Sequence, residues 1–345
     1  MSVTEAEFET AIQAAISRRE TKYSNFYALH FRWEDDNTDA SRDGESFQDL
    51  VHLMGFPFPD VHVIPKGDPL PGFEVQHRVA SLFIKAGNAQ GRSIVIIHYA
   101  GHGNANDLNE LELCSQPGKR IAANGFLLNI TTDMVMGLDV PIDVIIIFDC
   151  CYSFLASRNG STESRNVEIL SAGDERDPVA FAAGTKNSLT SKLLIEIRSR
   201  AQRGDKLVEM ADVMNALQQS SPVKKPSYTA KLGIGSITLP LNTMAPAVTI
   251  PPTPKNVQCL LATFSVHVSK TFNKQELKDL VRWLEESPKG KSATLKLESV
   301  KATNSMLFIF ESSRLCFLRI CGLPGVSLIC ENTPEDFSWL LHPTP

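Results

Sequence analysis

A chain of 345 residues with 43% hydrophobic and 21% charged side chains can bury a full core, which excludes a disordered class and suits two domains or one elaborated domain. A formal net charge of −5 leaves no basic footprint for nucleic acid, and no apolar run reaches membrane-spanning length. Seven irregularly spaced cysteines argue against a disulfide framework, and Met1–Glu7 lacks the basic start and apolar core of a signal peptide, so a cytoplasmic protein is expected.

The first predicted element is a helix with a capping box at Thr4 and Glu7 and with Phe8, Ile12 and Ile16 on one side. Phe26–Phe31 reads as the first strand, and an acidic loop over residues 34–43 leads to a helix near Ser46–Met54. Val61–Ile64 is the second strand, Glu74–Lys85 a helix and Ser93–Ala100 the third strand. Leu111–Cys114 and Arg120–Ala122 suggest a hairpin, followed by a helix near Thr132–Leu138. The fourth strand covers Val144–Asp149 and the fifth Val167–Ser171. Helices around Ser188–Arg200 and Leu207–Gln219 precede a sixth strand, Ser236–Leu239. Strands alternating with helices predict an α/β domain over residues 1–239, with a mostly parallel sheet and helices on both faces. Pro240–Pro254 carries five prolines and predicts a stiff linker over 240–256. Beyond it, Leu260–Val268, Thr294–Val300, Met306–Phe310 and Val326–Cys330 read as strands, Gln275–Glu286 as an amphipathic helix and Arg314–Ile320 as a short apolar helix or turn. They make a small α+β domain over 257–345, in which His267, Cys316, Cys321 and Cys330 read as core filling.

Two strands end in chemistry. The Val144–Phe148 run ends in Asp149-Cys150-Cys151, and sites in open α/β sheets lie beyond the carboxyl ends of strands. Alternation puts Asp149 and Cys151 on one side and Cys150 on the other. One strand upstream, Ser93–Ala100 breaks into Gly101-His102-Gly103, and a histidine between glycines is not there for packing. His98 lies within the strand run and reads as a hydrogen-bonded core histidine; with Gly101 following and no Glu after it, a zinc-helix motif is excluded. A Cys with a His about fifty residues upstream has caspase-type spacing.

His98-Tyr-Ala-Gly-His-Gly103 and Asp149-Cys-Cys-Tyr-Ser153 resemble the His-Tyr-Ser-Gly-His-Gly and Asp-Cys-Cys-His-Ser-Gly boxes of the metacaspases, a branch of the caspase-like cysteine peptidases. The resemblance covers the first domain. The C-terminal module resembles only the extensions that accompany caspase-like proteins in filamentous fungi. A caspase-like, mostly parallel six-stranded sheet flanked by helices is implied, divided into a large part (1–156), a loop (157–166) and a small part (167–239). Cysteine endopeptidase activity is implied too, with Cys151 as nucleophile and His102 as base. A thiol ordinarily titrates near about 8.5, so a base must take its proton before it attacks. The resemblance assigns the oxyanion to the backbone N–H groups of Gly103 and Cys151.

An acid two residues before the nucleophile repels acidic side chains and pairs with Arg or Lys, so Asp149 points to a protein or peptide substrate with a basic P1 residue. A second S1 acid is expected from the loop after the first strand, with Asp39 and Asp43 as candidates. The resemblance leaves an activating protein partner open and carries a role in regulated cell death or immunity. It departs at Tyr152 and Phe154, where the family has His and Gly. No cofactor is called for. Many metacaspases bind calcium, but Asp174-Glu-Arg-Asp177 is too sparse for an ion wanting six to eight oxygens, and no metal site is assigned. Arg158 and Arg165, in a polar stretch expected to be mobile, are candidates for self-cleavage. The alternative from another class is a catalytically silent caspase-like adaptor or regulatory subunit. A different thiol enzyme is disfavoured by the absence of a nucleophile elbow and of a Gly-rich phosphate loop.

Overall fold

A computed structural model of the chain describes residues 2–16, 22–115, 118–131, 141–157, 165–221, 223–242, 261–286, 295–302, 305–323 and 325–332. It divides into two units, residues 18–249 and a second made of 1–17 with 250–345. Helix α1 (Glu5–Ile16) therefore belongs with the C-terminal module, which corrects the expected 1–239 domain. The physical reason is pairing and packing. Val3 bridges Val268 in parallel, and the Phe8 ring stacks on Phe308 at 5.0 Å. The capping box is present, with Thr4 N–H on Glu7 Oε2 at 2.7 Å and Glu7 N–H on Thr4 Oγ1 at 3.3 Å.

In the larger unit, β1 (Asn25–Trp33), α2 (Ala40–Leu53), β2 (Asp60–Ile64), α3 (Pro71–Asn88) and β3 (Ser93–Ala100) follow in order. A three-stranded sheet of β4 (His102–Ala105), β5 (Leu111–Cys114) and β6 (Arg120–Ala122) enlarges the expected hairpin. Next come α4 (Asn124–Thr131), β7 (Ile142–Asp149), a 3-10 turn over Ser153–Ser157, and β8 (Val167–Ser171). Helix α4 precedes the helix expected over Thr132–Leu138, which falls outside the described residues. Then α5 (Leu189–Gln202), β9 (Leu207–Glu209), α6 (Met210–Ser220), β10 (Ser227–Leu232) and β11 (Thr238–Pro240) complete the unit.

Six strands form one sheet in the order β10-β8-β7-β3-β1-β2, all parallel except β10. The predicted class, α/β with a mostly parallel six-stranded sheet, is present. One strand was misplaced by sequence reasoning: the sixth is Ser227–Leu232, whereas 238–240 pairs with β9 in a separate ribbon. Tyr228, Ala230 and Leu232 alternate inward on a half-buried edge strand, a weaker signal than the continuous runs of the centre. The expected 240–256 linker begins with Pro240 inside β11, and 243–260 lies outside the described residues.

β3 and β7 are buried along their whole length, as their unbroken Ile/Val content requires. Leu29, Phe31, Val95, Ile97, Tyr99, Ile146, Phe148 and Cys150 face one core, beneath residues of α3 and α4. At the amino ends of the strands one buried carboxylate ties the sheet together. Asp143 accepts from Arg92 Nε (3.0 Å) and Nη2 (2.8 Å), from the Tyr23 hydroxyl (2.7 Å) and from Asn166 N–H (2.6 Å). Those partners lead into β3, β1 and β8. Removing one partner of such a buried pair typically costs about 3–5 kcal/mol.

In the second unit, β12 (Leu261–Val268), α7 (Lys274–Glu286), β13 (Leu295–Ala302), β14 (Met306–Ser313), α8 (Arg314–Leu318) and β15 (Val326–Asn332) realise the expected α+β module. Its sheet is antiparallel in the order β13-β14-β12-β15. Cys316 is buried as expected, but His267, Cys321 and Cys330 are only partly so, because His267 and Cys330 sit on outward positions of their strands and Cys321 in a turn.

Glu168, in the middle of the larger unit, is fully buried. Burial pushes its carboxyl up to about 8, against hydrogen bonds from Ile237 N–H and the Ser236 and Tyr228 hydroxyls, with Glu209 adding to the rise. A folded-state pKa above the unfolded value means stability is full below about 4.5 and is lost as pH climbs through about 8. Urea unfolding at pH 5 and pH 9 is expected to show a loss on the order of a few kcal/mol in the native chain. The loss shrinks in Glu168→Gln; an equal loss in both would refute it.

Candidate active site

The register of β3 and β7 places the two chemistry-bearing ends side by side. Ala100 pairs with Asp149, and Gly101 N–H reaches Asp149 O at 3.3 Å. The pairing stops there: His102 opens β4, which pairs with β5, and Cys151 stands in the turn after β7, so the two residues follow neighbouring strand ends. The flanking glycines have separate reasons. Gly101 has φ 140°, and a Cβ there would come within 2.9 Å of Asp36 Oδ2 and 3.0 Å of the Tyr99 hydroxyl. A Cβ on Gly103 would fall on the Cys151 carbonyl oxygen and lie 2.8 Å from Cys150 Sγ.

β7 ends at Asp149, so Cys151 stands in the turn beyond it and is partly exposed. Cys150 continues the inward alternation of Ile146 and Phe148 and is 2% exposed. Burial first, then the neighbouring Cys151 and Asp149, pushes its thiol well above the ordinary range. Its burial accords with the structural role expected of it. Tyr152 takes φ 58° and donates its N–H to Pro178 O at 2.7 Å. Phe154, the other departure from the metacaspase box, packs on the Phe148 side of the sheet, away from Asp149.

His102 Nε2 lies 2.6 Å from Asn37 Oδ1, and the Tyr99 hydroxyl donates to His102 O at 2.8 Å. A cleft of about 310 Å³ opens beside it, lined by Gly103, Asn104, Cys114, Ser115 and Arg120.

The candidate acids separate clearly. Asp39 is half exposed, takes φ 68° and pairs with Arg42 at 3.0 Å. Asp43 is fully buried on α2, accepting from Gly184 N–H (2.8 Å) and the Ser188 hydroxyl (2.8 Å). Burial, and next the neighbouring Asp149 carboxyl, raises Asp43 to about 7. Asp149, 2% exposed, sits at the start of α5 and accepts on Oδ2 from Thr190 N–H (2.8 Å) and Oγ1 (2.7 Å). Burial raises its pKa; hydrogen bonds from Thr190 and the Leu189 N–H and, more weakly, Lys192 oppose the rise. Asp43 and Asp149 are thus brought together, and Asp39 is left at the surface.

Behind Asp149 runs a chain of hydrogen bonds. Thr190 Oγ1 spends its proton on Asp149, so it accepts from His98 Nε2–H at 2.9 Å. His98 Nδ1 then carries a lone pair and accepts from His30 Nδ1–H at 2.9 Å. Burial lowers His30 to about 4 and His98 well below its ordinary value, so both rings are neutral. His98 is the hydrogen-bonded core histidine that was expected. Its partners Thr190 and His30, and also Asn37 and Ser188, were not foreseen; only Ser188, a helix N-cap, left a local signal.

Arg165 is fully buried, and Asn166 is held by Gly235 O at 2.8 Å, so Arg165 is corrected as a cleavage candidate: no protease reaches that peptide bond in the folded chain. Arg158 lies outside the described residues. The Asp174–Asp177 run does not fit calcium. Asp174 Oδ1 accepts from Arg176 N–H (2.9 Å) and Asp177 N–H (2.8 Å), closing its own turn. Among the described residues no three His, Cys, Asp or Glu side chains converge on a metal position.

No protein-family model matches the sequence, and no curated protein does. Among solved structures the chain is similar to caspase-1 from Spodoptera frugiperda, at 13% identity over 63% of this chain and 93% of that one, with a TM-score of 0.42. It is also similar to drICE, at 12% identity over 63% of this chain and 92% of that one, with a TM-score of 0.38. Likenesses this faint say nothing of chemistry, which has to be read from the side chains.

The contact at Gly103 is directly testable. Gly103→Ala forces the β4 backbone off the Cys151 carbonyl and is expected to cost about 1–3 kcal/mol, as overpacking does. Gly67→Ala, with nothing within 4 Å, serves as the neutral control. Equal denaturant midpoints for the two variants would contradict the close approach.

Proposed function

We propose that residues 18–249 form a cysteine endopeptidase of caspase-like, metacaspase type, working in the cytoplasm on proteins or peptides cut after Arg or Lys. One observation supports the reading: the paired strands β3 and β7 end side by side at Ala100 and Asp149, so His102 and a partly exposed Cys151 follow neighbouring strand ends, and a Cβ on Gly103 would fall on the Cys151 carbonyl oxygen. The proton of Sγ passes to His102, and the sulfur bonds to the scissile carbonyl carbon. The negative charge gathers on the carbonyl oxygen, near the N–H groups of Gly103 and Cys151. The C–N bond then breaks, the amine leaves with the proton from His102, and water hydrolyses the thioester.

Basic P1 selection is supported by the buried Asp43–Asp149 pair. Asp149 Oδ1 is buried with no donor on the carboxyl beyond Thr190 and the Leu189 N–H, which leaves a lone pair suited to a guanidinium or ammonium donor. Both carboxyls are closed off from solvent, so the segment bearing Gly184 and Ser188 has to yield before P1 seats. Asp43 titrates near about 7, with Asp149 and Asp39 as its charged neighbours, and Lys192 acts on Asp149. Below that pH Asp43 carries a proton that an incoming cation must displace. Affinity for a basic P1 therefore rises with pH through about 7. An activating partner and a role in regulated cell death or immunity rest on the metacaspase resemblance alone.

Fluorogenic peptides ending in Arg or Lys are expected to be cleaved and Asp-terminated ones left intact. Cys151→Ala and His102→Ala abolish the activity, and Cys150→Ala keeps most of it. Asp149→Ala lowers kcat/KM for Arg at least about 30-fold, the cost of stranding a charged partner. Asp43→Asn removes the rise near pH 7. Full Arg cleavage by Asp149→Ala would exclude the acid pair from S1.

Self-cleavage at Arg158 is the second expectation, since Asp149 accepts that residue type. Purified chain incubated and mapped by mass spectrometry should yield a new N-terminus at Asn159, absent in Cys151→Ala. An intact chain cutting an Arg reporter at full rate would sink it.

A further inference from the structure

We infer that Thr190 and His98 are positioning residues for Asp149: His98 commits the Thr190 hydroxyl to one oxygen of that carboxylate, which leaves the other oxygen to receive a basic P1 side chain. The inference rests on reading Asp149 as the S1 acid. Asp149 Oδ2 takes two donors from one residue, Thr190 N–H at 2.8 Å and the Thr190 hydroxyl at 2.7 Å. A hydroxyl has a single proton and turns to suit its neighbours unless something fixes it. His98 Nε2 stands 2.9 Å from Thr190 Oγ1 and is the donor that fixes it. With Oγ1 accepting from the ring, its own proton points at Asp149.

The imidazole is itself held. His98 lies opposite Ile147 in the β3–β7 ladder, and Ile147 and Asp149 share a face, so the ring and the carboxylate stand on the same side of the sheet. His30 is its partner in the β1–β3 ladder, with Nδ1 at 2.9 Å from His98 Nδ1, and Phe47 of α2 stacks on the ring at 4.5 Å. Both nitrogens of His98 are engaged, and the residue is wholly buried. The same packing seats the second acid. Gly44, next to Asp43 on α2, lies against His30, where a Cβ would come within 2.7 Å of Nε2. One pair of histidines thus sets both carboxyls, Asp149 through Thr190 and Asp43 through the fit of α2. Without the Thr190 hydroxyl the Asp149 carboxyl loses a donor that opposes the effect of burial, and burial favours the protonated form, which has no charge to offer a cation. Neither Thr190 nor His98 takes part in bond making, and both act through the carboxylate.

The test compares the full-length native chain with Thr190→Val, Thr190→Ser, His98→Phe and the Thr190→Val/His98→Phe double variant. Long-range nitrogen–proton NMR of histidine-labelled chain needs no ligand. It is expected to find His98 as a neutral ring protonated on Nε2, with that nitrogen shifted in Thr190→Val. Benzamidine, an amidinium that need not be cut, is titrated by calorimetry. Thr190→Val and His98→Phe each weaken its binding about tenfold, the contribution of one hydrogen bond to a charged group. Thr190→Ser keeps the hydroxyl and stays within about twofold of the native chain. The double variant binds no more weakly than Thr190→Val, because the histidine acts through the hydroxyl. On an Arg reporter the loss falls on KM, with kcat within about twofold. Alkylation of Cys151 by iodoacetamide at the native rate in Thr190→Val shows that the site is still folded. A His98 ring protonated on Nδ1 would overturn the inference. So would native benzamidine affinity in Thr190→Val, or a native chain that binds no benzamidine, whether or not peptides are cut. If NMR and calorimetry follow the expected pattern while no Arg or Lys peptide is ever cleaved, the positioning stands and the peptidase reading falls.

Discussion

Asp143 holds the working end of the molecule in place from the opposite end of the sheet. Its carboxylate is fully buried and joins Arg92, Tyr23 and the Asn166 backbone, the residues that lead into β3, β1 and β8. A charge taken out of water is tolerated only when every lone pair finds a donor, and that demand leaves the strands little freedom to slip. A slip of one residue would turn every side chain to the other face. It would bury Cys151 and swing Asp149 into the opposite core. The side-by-side ending of β3 and β7, which His102 and Cys151 follow, is in this sense decided at the opposite ends of those strands.

At the carboxyl ends the two faces of the sheet carry different chemistry. One face is apolar through Phe148 and Cys150, and it keeps the second thiol protonated and out of reach. The other holds His30, His98, Thr190 and Asp149 in a single directed chain of donors, flanked by Asp43. Neutral histidines contribute N–H groups without adding charge, so the carboxylate is stabilised by dipoles and a helix start. A full counter-charge would occupy the position a basic substrate needs. The proposed S1 pocket is thus assembled from four separate stretches of chain, and its polarity is set by groups that never touch substrate.

The second unit shows how far apart in sequence a packed module can be drawn. Phe8 stacks with Phe308, and Arg319 donates to Ala15 O at 3.0 Å, so the chain's first helix closes a core otherwise made of residues from β12 to β15. An amphipathic helix needs an apolar partner, and its own sequence does not say which one. Cutting the chain at the proline-rich stretch would strip this module of one of its own faces.

What the sequence by itself determined follows from short-range rules. Buried parallel strands must be near-continuous apolar runs, so β3, β7 and β8 were legible nearly to the residue. Chemistry breaking such runs at their carboxyl ends singled out His102, Asp149 and Cys151. The capping box at Thr4 and Glu7 and the cap at Ser188 are likewise local hydrogen bonds with local signatures. Only the tertiary structure buries Asp43 beside Asp149 and leaves Asp39 at the surface, because both lie in one acidic stretch and the approach to Asp149 is made across more than a hundred residues. The same holds for Asn37 against His102, for Thr190 against Asp149, for the burial of Arg165 and for the placement of Ser227–Leu232 at the sheet edge. Each of these depends on which residues the folded chain brings together, and a partner brought from elsewhere in the chain leaves no periodicity or spacing at the residue it meets.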